Sequence, residues 1–306
     1  MSSKGHPLEP KKELPEPSWE HLALYRNVCE AIATLPVYFR TETHISGILA
    51  TDLHTLNTVL GATIEEQVVR TLNLLRTSWD PDGRYALYSF MRQPQTFPDV
   101  RLKKVSDDDT LLGVELKGWY LLAKEAEPSL RFQVTPAACA KQDLIVVVPW
   151  VLGNVISGSP MLFQPFVESA RFAAEFRNYH WQHIRKTGLS TAIDTPTGAR
   201  PYPSKSDQIG DKPRNDSGGN FGRLARTGMM DTYMSKLHDL PLCGIKTVFW
   251  RDFLKAFQES TSDAQARAAL ERLRRRVAEA ADIPAPRAQA TLAIVAELER
   301  LLDFHP

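Results

Sequence analysis

The chain has 306 residues, of which 43% are hydrophobic and 24% are charged, a composition typical of a globular protein with one large domain or two small ones. A formal net charge of +1 excludes a global electrostatic attraction to nucleic acid, so any such contact has to come from local basic surface. Cys29, Cys139 and Cys243 lack the spacing of metal ligands, which indicates neither a zinc site nor a disulfide framework and fits a reducing cytosol.

The first 17 residues are polar and rich in proline, glutamate and lysine, without the apolar core of a signal peptide. We predict a disordered tail here, followed by a packing helix over residues 19–35. The longest apolar stretch, residues 144–156, is interrupted by Pro149 and Asn154 and is too short to span a bilayer. The expectation is a cytoplasmic protein that does not bind membranes.

An amphipathic helix is predicted over residues 63–75. Its apolar residues recur at helical spacing and are Ile64, Val68, Leu72 and Leu75. Glu65 shares a helical face with this set, so its carboxylate is expected to tilt toward the core, whereas Glu66 points outward. The Asp-Pro-Asp-Gly sequence over residues 80–83 is interpreted as the turn that ends the helix, although it also holds a second Pro-Asp pair.

Three strands are predicted next, over residues 85–93, 98–104 and 112–121. Because side chains alternate along a strand, Glu115 and Lys117 share one face of the third strand. The turn-rich residues 106–110 join the second and third strands, and an antiparallel hairpin would place Asp99 near Glu115. Two neighbouring carboxylates can bind a hard divalent cation, and a lysine beside them can stabilise charge on a phosphate or on an attacking water.

A short helix over residues 135–142 and a strand beginning at Asp143 complete this part of the chain. The strand contains a continuous β-branched run, which is typical of a buried strand in a parallel pairing. The order of elements from residue 61 to residue 152 resembles the common core of the PD-(D/E)xK nucleases, the superfamily of most type II restriction endonucleases. The resemblance implies an α/β fold, with a mixed central sheet flanked by helices and with N- and C-terminal helical additions.

The same resemblance implies Mg²⁺-dependent hydrolysis of double-stranded DNA, with Mn²⁺ as a substitute, to give 5′-phosphate ends. Asp99, Glu115 and the Leu116 carbonyl would bind the metal, and Lys117 would orient or activate water. Glu65 would assist through a metal-bound water or a second metal. A type II enzyme of this kind is expected to be a homodimer, with a cognate DNA methyltransferase in the same system.

Two other functions stay open from the sequence. One is a structure-selective repair or recombination nuclease of the same superfamily. The other is a DNA-binding or assembly protein that has lost catalysis, although the presence of every motif residue argues against it.

A basic helix over residues 171–186 and a Gly-, Pro- and Ser-rich segment over residues 186–228 follow the core. The segment has no apolar periodicity, and we interpret it as a flexible insertion that either contacts DNA or is inert. The predicted DNA contacts are Arg177, Arg185, Arg214, Arg223 and Arg226. His180 and His183 lie three residues apart, which allows a metal site but fits a buried or DNA-facing polar role better.

The C-terminal part is predicted to form helices over residues 252–281 and 287–302, separated by Ile283-Pro284-Ala285-Pro286. Arg272 and Arg274–Arg276 could contact a phosphate, or they could form a solvated or partner-facing surface. The predicted organisation is a tail over residues 1–17, a nuclease domain over 18–185, the basic insertion over 186–228 and a C-terminal helical region over 229–306 that packs on the core.

Overall fold

A computed structural model describes residues 8–46, 53–93, 95–123, 125–186, 188–255, 262–279 and 284–303. Within these residues a mixed sheet is flanked by helices, as the sequence predicts. The strands of the sheet are β1 (Tyr88–Arg92), β2 (Val100–Lys104), β3 (Thr110–Tyr120), β4 (Leu144–Leu152), β5 (Pro160–Leu162) and β6 (Phe166–Ser169). The helices are α1 (Leu22–Ala33), α2 (Leu35–Tyr38), α3 (Leu53–Leu74), α4 (Arg76–Trp79), α5 (Ala170–Tyr179), α6 (Asp231–His238), α7 (Thr247–Leu254), α8 (Asp263–Glu279) and α9 (Ala285–Asp303).

The sheet combines an antiparallel meander with one parallel pair. Strands β1, β2 and β3 pair antiparallel in chain order, β4 lies parallel to β3, and both β5 and β6 lie antiparallel to β4. Every residue of β4 is buried, which confirms the interpretation of its β-branched run as a strand covered on both faces.

The register of the β2–β3 hairpin decides where the predicted motif residues meet. Val100 pairs with Val114 at the end of the ladder. Because the strands are antiparallel, Asp99, which precedes Val100, lies opposite Glu115, which follows Val114. The predicted hairpin is therefore confirmed. The turn between the strands is held by ion pairs of Lys103 with Asp108 and of Lys104 with Asp109.

The phase predicted for α3 is also confirmed. Ile64, Val68 and Leu72 are each at most 2% exposed, and Glu66 is exposed. The helix is longer than predicted and packs on β3 and β1. Its inner face therefore reaches the part of β3 that carries the motif.

Several predicted helices differ in extent. The helix predicted over residues 19–35 corresponds to α1, which is shorter. A separate helix, α2, follows it, with Pro36 in its first turn, where a proline needs no N–H partner. The helix predicted over residues 135–142 is a single 3₁₀ turn, Pro136–Ala138, because the Asp143 side chain accepts the Ala140 N–H beyond it. Helix α5 ends at Tyr179, and a π-helical turn, His180–Ile184, follows it directly.

The C-terminal prediction of one helix from residue 252 to residue 281 is wrong. Helix α7 already ends at Leu254 and α8 begins at Asp263, while residues 256–261 lie outside the described residues. Helix α9 agrees with the prediction over residues 287–302 to within about two residues at each end, as is usual for helix boundaries.

The basic segment is not structureless over the residues described. It contains a small hairpin of β7 (Ile193–Asp194) and β8 (Lys212–Pro213). Backbone hydrogen bonds join it to residues 132–135: the Phe132 N–H donates to the Gly222 carbonyl at 2.7 Å, and the Thr135 N–H donates to the Ile209 carbonyl at 2.7 Å. The segment therefore lies along the chain that follows β3, because those N–H groups need acceptors when buried.

Part of the predicted tail also contacts the body of the protein. Residues 8–17 contain no helix or strand, yet Lys12 pairs with Glu168 at 2.7 Å and Glu16 pairs with Lys141 at 2.5 Å. Residues 1–7 lie outside the described residues. None of the helices described combines the length and apolar character needed to cross a membrane.

Candidate active site

The candidate site lies where β3 extends past the start of β2. The β2–β3 ladder ends at the Val100–Val114 pair, but β3 continues to Tyr120. Two carboxylates accept the backbone N–H groups on this uncovered edge. Asp99 Oδ2 accepts from Leu116 N at 3.1 Å, and Glu65 Oε1 accepts from Gly118 N at 3.0 Å. The edge of the strand is thus satisfied by acidic side chains.

Close packing of α3 on β3 brings Glu65 to this edge. Gly61 and Glu65 are one helical turn apart and so share a face of α3. A Cβ atom on Gly118 would lie 3.6 Å from both the Cα and the carbonyl oxygen of Gly61, which is ordinary van der Waals contact. The helix backbone thus lies close to the strand at this point, and the Glu65 carboxylate reaches the Gly118 N–H.

Asp99 is positioned by the packing of Pro98 on Gly113. A Cβ atom on Gly113 would lie 2.3 Å from Cγ of Pro98, so the proline ring occupies the space that a side chain would need. The Gly113 N–H donates to Oδ1 of Asp143 at 2.7 Å, which fixes this part of β3 from the other side. The Phe97–Pro98 peptide bond is cis. Gly113 is therefore the position at which β3 accommodates the Pro98-Asp99 dipeptide.

The site gathers the carboxyl groups of Glu65, Asp99 and Glu115 around Lys117. Burial, together with the charges of Asp99 and Glu65, raises the pKa of Glu115 to about 8, although the Asp99 backbone N–H and Lys117 oppose the shift. Burial and the charge of Glu65 raise the pKa of Asp99 to about 6, against the Leu116 N–H, Lys117 and Arg92. Because the two carboxyl groups interact, they titrate as a pair, and at neutral pH the pair retains a proton.

All the motif positions predicted from the sequence meet at this edge. Glu115 and Lys117 project from the same face of β3, and the charges of Glu65 and Lys117 both act on Asp99. Glu65, Asp99, Glu115 and Lys117 are each partly exposed, so solvent reaches the group. The arrangement can hold a cation, orient a water molecule and place a positive charge beside an anionic substrate.

Asp99 and Glu115 are the two carboxylates that could hold a divalent cation at this edge. The Leu116 carbonyl lies on the same side of β3 as its N–H, so it faces Asp99. A cation between Asp99 and Glu115 would relieve the repulsion that raises their pKa values. Among the residues described, no group of three or more His, Cys, Asp or Glu side chains is spaced to hold a metal.

Two residues near the site were missed by sequence reasoning. Arg92 pairs with Val100 at the end of β1, and its charge acts on Asp99. Asp143 is fully buried and accepts hydrogen bonds from Gly113 N, Ala140 N and the Tyr202 hydroxyl. The register of the β1–β2 hairpin would have indicated Arg92, and a lone aspartate directly before an apolar strand would have indicated Asp143.

The predicted DNA contacts fall into three environments. Arg177 is 1% exposed, and its guanidinium binds Asp211 at 2.5 Å and the Phe132 carbonyl at 2.7 Å. The prediction that Arg177 contacts DNA is therefore wrong, because its donors are used inside the protein. Arg214 is exposed and pairs with Asp194 at 2.9 Å.

The remaining three arginines, Arg185, Arg223 and Arg226, line one cavity together with His180. His183 is exposed and packs against the ring of Tyr179, with ring centroids 5.1 Å apart. The two histidines therefore have different surroundings, and neither belongs to a group of metal ligands among the residues described.

Comparisons with protein-family models, with curated proteins and with solved structures give no match. The function of this chain is consequently inferred from the geometry and electrostatics of the site.

Proposed function

We propose that this protein is a Mg²⁺-dependent endonuclease that hydrolyses phosphodiester bonds of double-stranded DNA. The observation that carries the proposal is the pairing of Asp99 with Glu115 across the end of the β2–β3 ladder, with Lys117 on the same strand face as Glu115. Acidic pairs beside a lysine suit a reaction in which negative charge grows on a phosphate. The resemblance to PD-(D/E)xK nucleases supports the same chemistry.

Asp99, Glu115 and the Leu116 carbonyl would hold the cation. When bound, a divalent metal polarises the scissile phosphate and lowers the pKa of coordinated water. The raised pKa values of both carboxyl groups mean that binding of the cation releases a proton from the pair.

Lys117 and Glu65 have separate roles in the proposed reaction. Lys117 donates hydrogen bonds to a non-bridging phosphate oxygen or to the attacking water, and its charge offsets the negative charge of the transition state. Glu65 uses one oxygen for Gly118 N, and its second oxygen is available to orient a water molecule. Water adds to phosphorus, the 3′-oxygen leaves and takes up a proton, and the products are a 5′-phosphate and a 3′-hydroxyl.

The finer proposal is a type II restriction endonuclease that acts as a homodimer on a specific sequence. Two-fold symmetry of such a dimer would match a palindromic site and allow both strands to be cut. The core holds few groups able to read base edges, so recognition falls to residues outside it, including the segment over residues 188–228.

A direct test compares Lys117→Met with a matched control, Lys104→Met. Lys104 lies on the same hairpin and pairs with Asp109, away from Asp99. With plasmid DNA and Mg²⁺ we expect the control to cut like the wild type, and Lys117→Met to be slower by about 100-fold or more, since one lost charge-stabilising group costs about that much. EDTA abolishes cleavage, and end sequencing identifies 5′-phosphates.

The pattern of products separates the alternatives. Discrete fragments from a linear phage DNA indicate a sequence-specific enzyme, whereas cutting confined to branched or mismatched duplexes indicates a structure-selective nuclease. Cleavage by Lys117→Met at the wild-type rate would place the active site elsewhere. DNA binding without cleavage in either Mg²⁺ or Mn²⁺ would leave a non-catalytic binding protein.

A further inference from the structure

The cavity lined by Arg185, Arg223 and Arg226 has a volume of about 310 Å³ and lies between the π-helical turn after α5 and the segment over residues 220–227. Its charged lining consists of arginines alone among the residues described: Arg177, Arg185, Arg223 and Arg226. A guanidinium group without a carboxylate partner creates a positive potential, so a cavity lined by such groups favours an anion.

Two of these arginines are already neutralised within the protein. Arg177 forms the buried pair with Asp211. Its guanidinium carbon lies over the ring of Phe221, 4.7 Å from the ring centroid. Arg226 pairs with Glu127 at 2.6 Å and also binds the side chain of Asn220. These two residues build the walls of the cavity.

The other two arginines, Arg185 and Arg223, are available to bind a ligand. The guanidinium carbon of Arg185 lies 3.6 Å from the centroid of the Trp181 ring, a cation–π contact that holds the group flat against the indole. Arg223 donates one hydrogen bond to the Gly219 carbonyl at 3.3 Å. Within the part of the chain that is described, neither Arg185 nor Arg223 forms a salt bridge.

Trp181 holds Arg185 beside the cavity. Its side chain lines the cavity and is 3% exposed. Its Nε1–H is buried away from solvent and has no hydrogen-bond partner among the residues described. The donors that a ligand in the cavity can reach are therefore the guanidinium groups of Arg185 and Arg223.

We propose that this cavity is a binding site for a phosphate group, held by Arg185 and Arg223. The planar fork of each guanidinium matches two oxygens of a phosphate. Such a site favours an anionic ligand that is rich in hydrogen-bond acceptors.

Packing around Phe132 links the cavity to the candidate active site. Phe132 N donates to the Gly222 carbonyl in the wall of the cavity, and the Phe132 ring lies 5.7 Å from the ring of Phe97, two residues before Asp99. The cavity and the candidate active site are therefore joined through Phe132. If the proposed function holds, the bound group is a backbone phosphate of the DNA, held away from the scissile bond.

The first arm of the test uses inorganic phosphate as the probe, without DNA or metal. We expect phosphate to raise the midpoint of thermal unfolding more than chloride at equal ionic strength, because it binds the folded state. The double variant Arg185→Gln/Arg223→Gln loses this effect. Arg214→Gln, which removes an exposed arginine paired with Asp194, retains it.

The second arm measures binding of a fluorescent DNA duplex in EDTA at several salt concentrations. If both arginines hold one phosphate, the double variant lowers the slope of log K against log salt by about 0.9, the value for a single phosphate. The effects of the single variants on affinity are then not additive. Since no cleavage is needed, failure of the proposed nuclease activity leaves this measurement intact.

The phosphate arm and the DNA arm can fail independently of each other. Retention of the phosphate effect by a folded double variant overturns the site. Loss of the phosphate effect together with an unchanged DNA salt slope supports the site and overturns DNA as its source, leaving a free phosphate or a nucleotide. Circular dichroism of each variant, with Arg185→Lys as a charge-preserving comparison, separates loss of binding from loss of fold.

Discussion

The carboxylate of Glu65 accepts a hydrogen bond of 3.0 Å from the backbone N–H of Gly118 and so joins α3 to the uncovered edge of β3. Glu66, the next residue in the chain, is exposed. Two adjacent glutamates therefore have different environments, and only one of them faces Asp99 and Glu115. The phase of a single helix decides which carboxylate belongs to the site.

Glu65→Gln is expected to slow DNA cleavage while leaving stability nearly unchanged. The glutamine carbonyl can still accept the Gly118 N–H, but the negative charge beside Asp99 is lost. Glu65→Ala should also lower the free energy of unfolding by about 1–3 kcal/mol, because the Gly118 N–H is left without its partner. Cleavage rates and urea unfolding measure the two effects.

The matched control is Glu66→Gln, which should behave like the wild type in both assays. The reverse ranking, with Glu66→Gln slow and Glu65→Gln unaffected, would mean that the helix is rotated by one residue from its assigned phase.

Stability in EDTA is expected to fall as pH rises from about 4.5 to about 8, the interval over which the raised pKa of Glu115 acts. The unfolded chain ionises this carboxyl near its ordinary pKa, while the folded state keeps the proton, so the folded state binds more protons and loses stability with rising pH. In Glu115→Gln the loss of free energy of unfolding over this interval should be smaller by about 1–3 kcal/mol. Each unit of pKa shift corresponds to about 1.4 kcal/mol, and access of solvent to the site reduces the effect.

Urea unfolding of the wild type and Glu115→Gln at a series of pH values isolates this contribution. The comparison is needed because burial also raises the pKa of Asp143 to about 6, which adds a slope common to both proteins. Mg²⁺ should stabilise the wild type more at pH 8 than at pH 5, since the cation competes with the shared proton. Equal slopes for the two proteins in EDTA would show that Glu115 is not protonated in the folded state.

Gly113→Ala is expected to damage the site, and Gly118→Ala is expected to be tolerated. The new methyl group at position 113 would lie 2.3 Å from Pro98 Cγ, whereas at position 118 its nearest contact would be 3.6 Å. Overpacking of this kind costs about 1–3 kcal/mol and displaces the residues that cause it. Thermal unfolding midpoints and cleavage rates of both variants measure this difference. Equal values for the two variants would show that the packing of Pro98 on Gly113 does not position Asp99.

Arg177→Gln is expected to destabilise the protein by about 3–5 kcal/mol, because it leaves the buried carboxylate of Asp211 without its partner. Arg214→Gln should leave stability unchanged, since its pair with Asp194 is exposed on both sides. The double change Arg177→Met/Asp211→Leu should recover part of the loss, because it removes both buried charges. Full stability of Arg177→Gln in urea unfolding would return this arginine to the group of candidate DNA contacts.

Local patterns in the sequence were sufficient to predict the elements that build the candidate site. The apolar spacing of α3 gave the inward direction of Glu65, and strand alternation placed Glu115 and Lys117 on one face. The β-branched run of β4 indicated a strand buried on both sides. These signals are reliable because they depend on which face of an element is buried, and the period of each element records that directly.

Contacts between distant parts of the chain were decided only by the tertiary structure. Arg177 resembles any other basic residue until Asp211, 34 positions away, is brought against it. The segment over residues 188–228 shows no periodicity, yet it lies along residues 132–135 because their N–H and carbonyl groups need partners. The contact of Pro98 with Gly113 is likewise invisible in either local pattern. The spacing of apolar residues along a helix or strand shows which face is buried. The partner of a charged group or of a backbone N–H depends on how the whole chain packs.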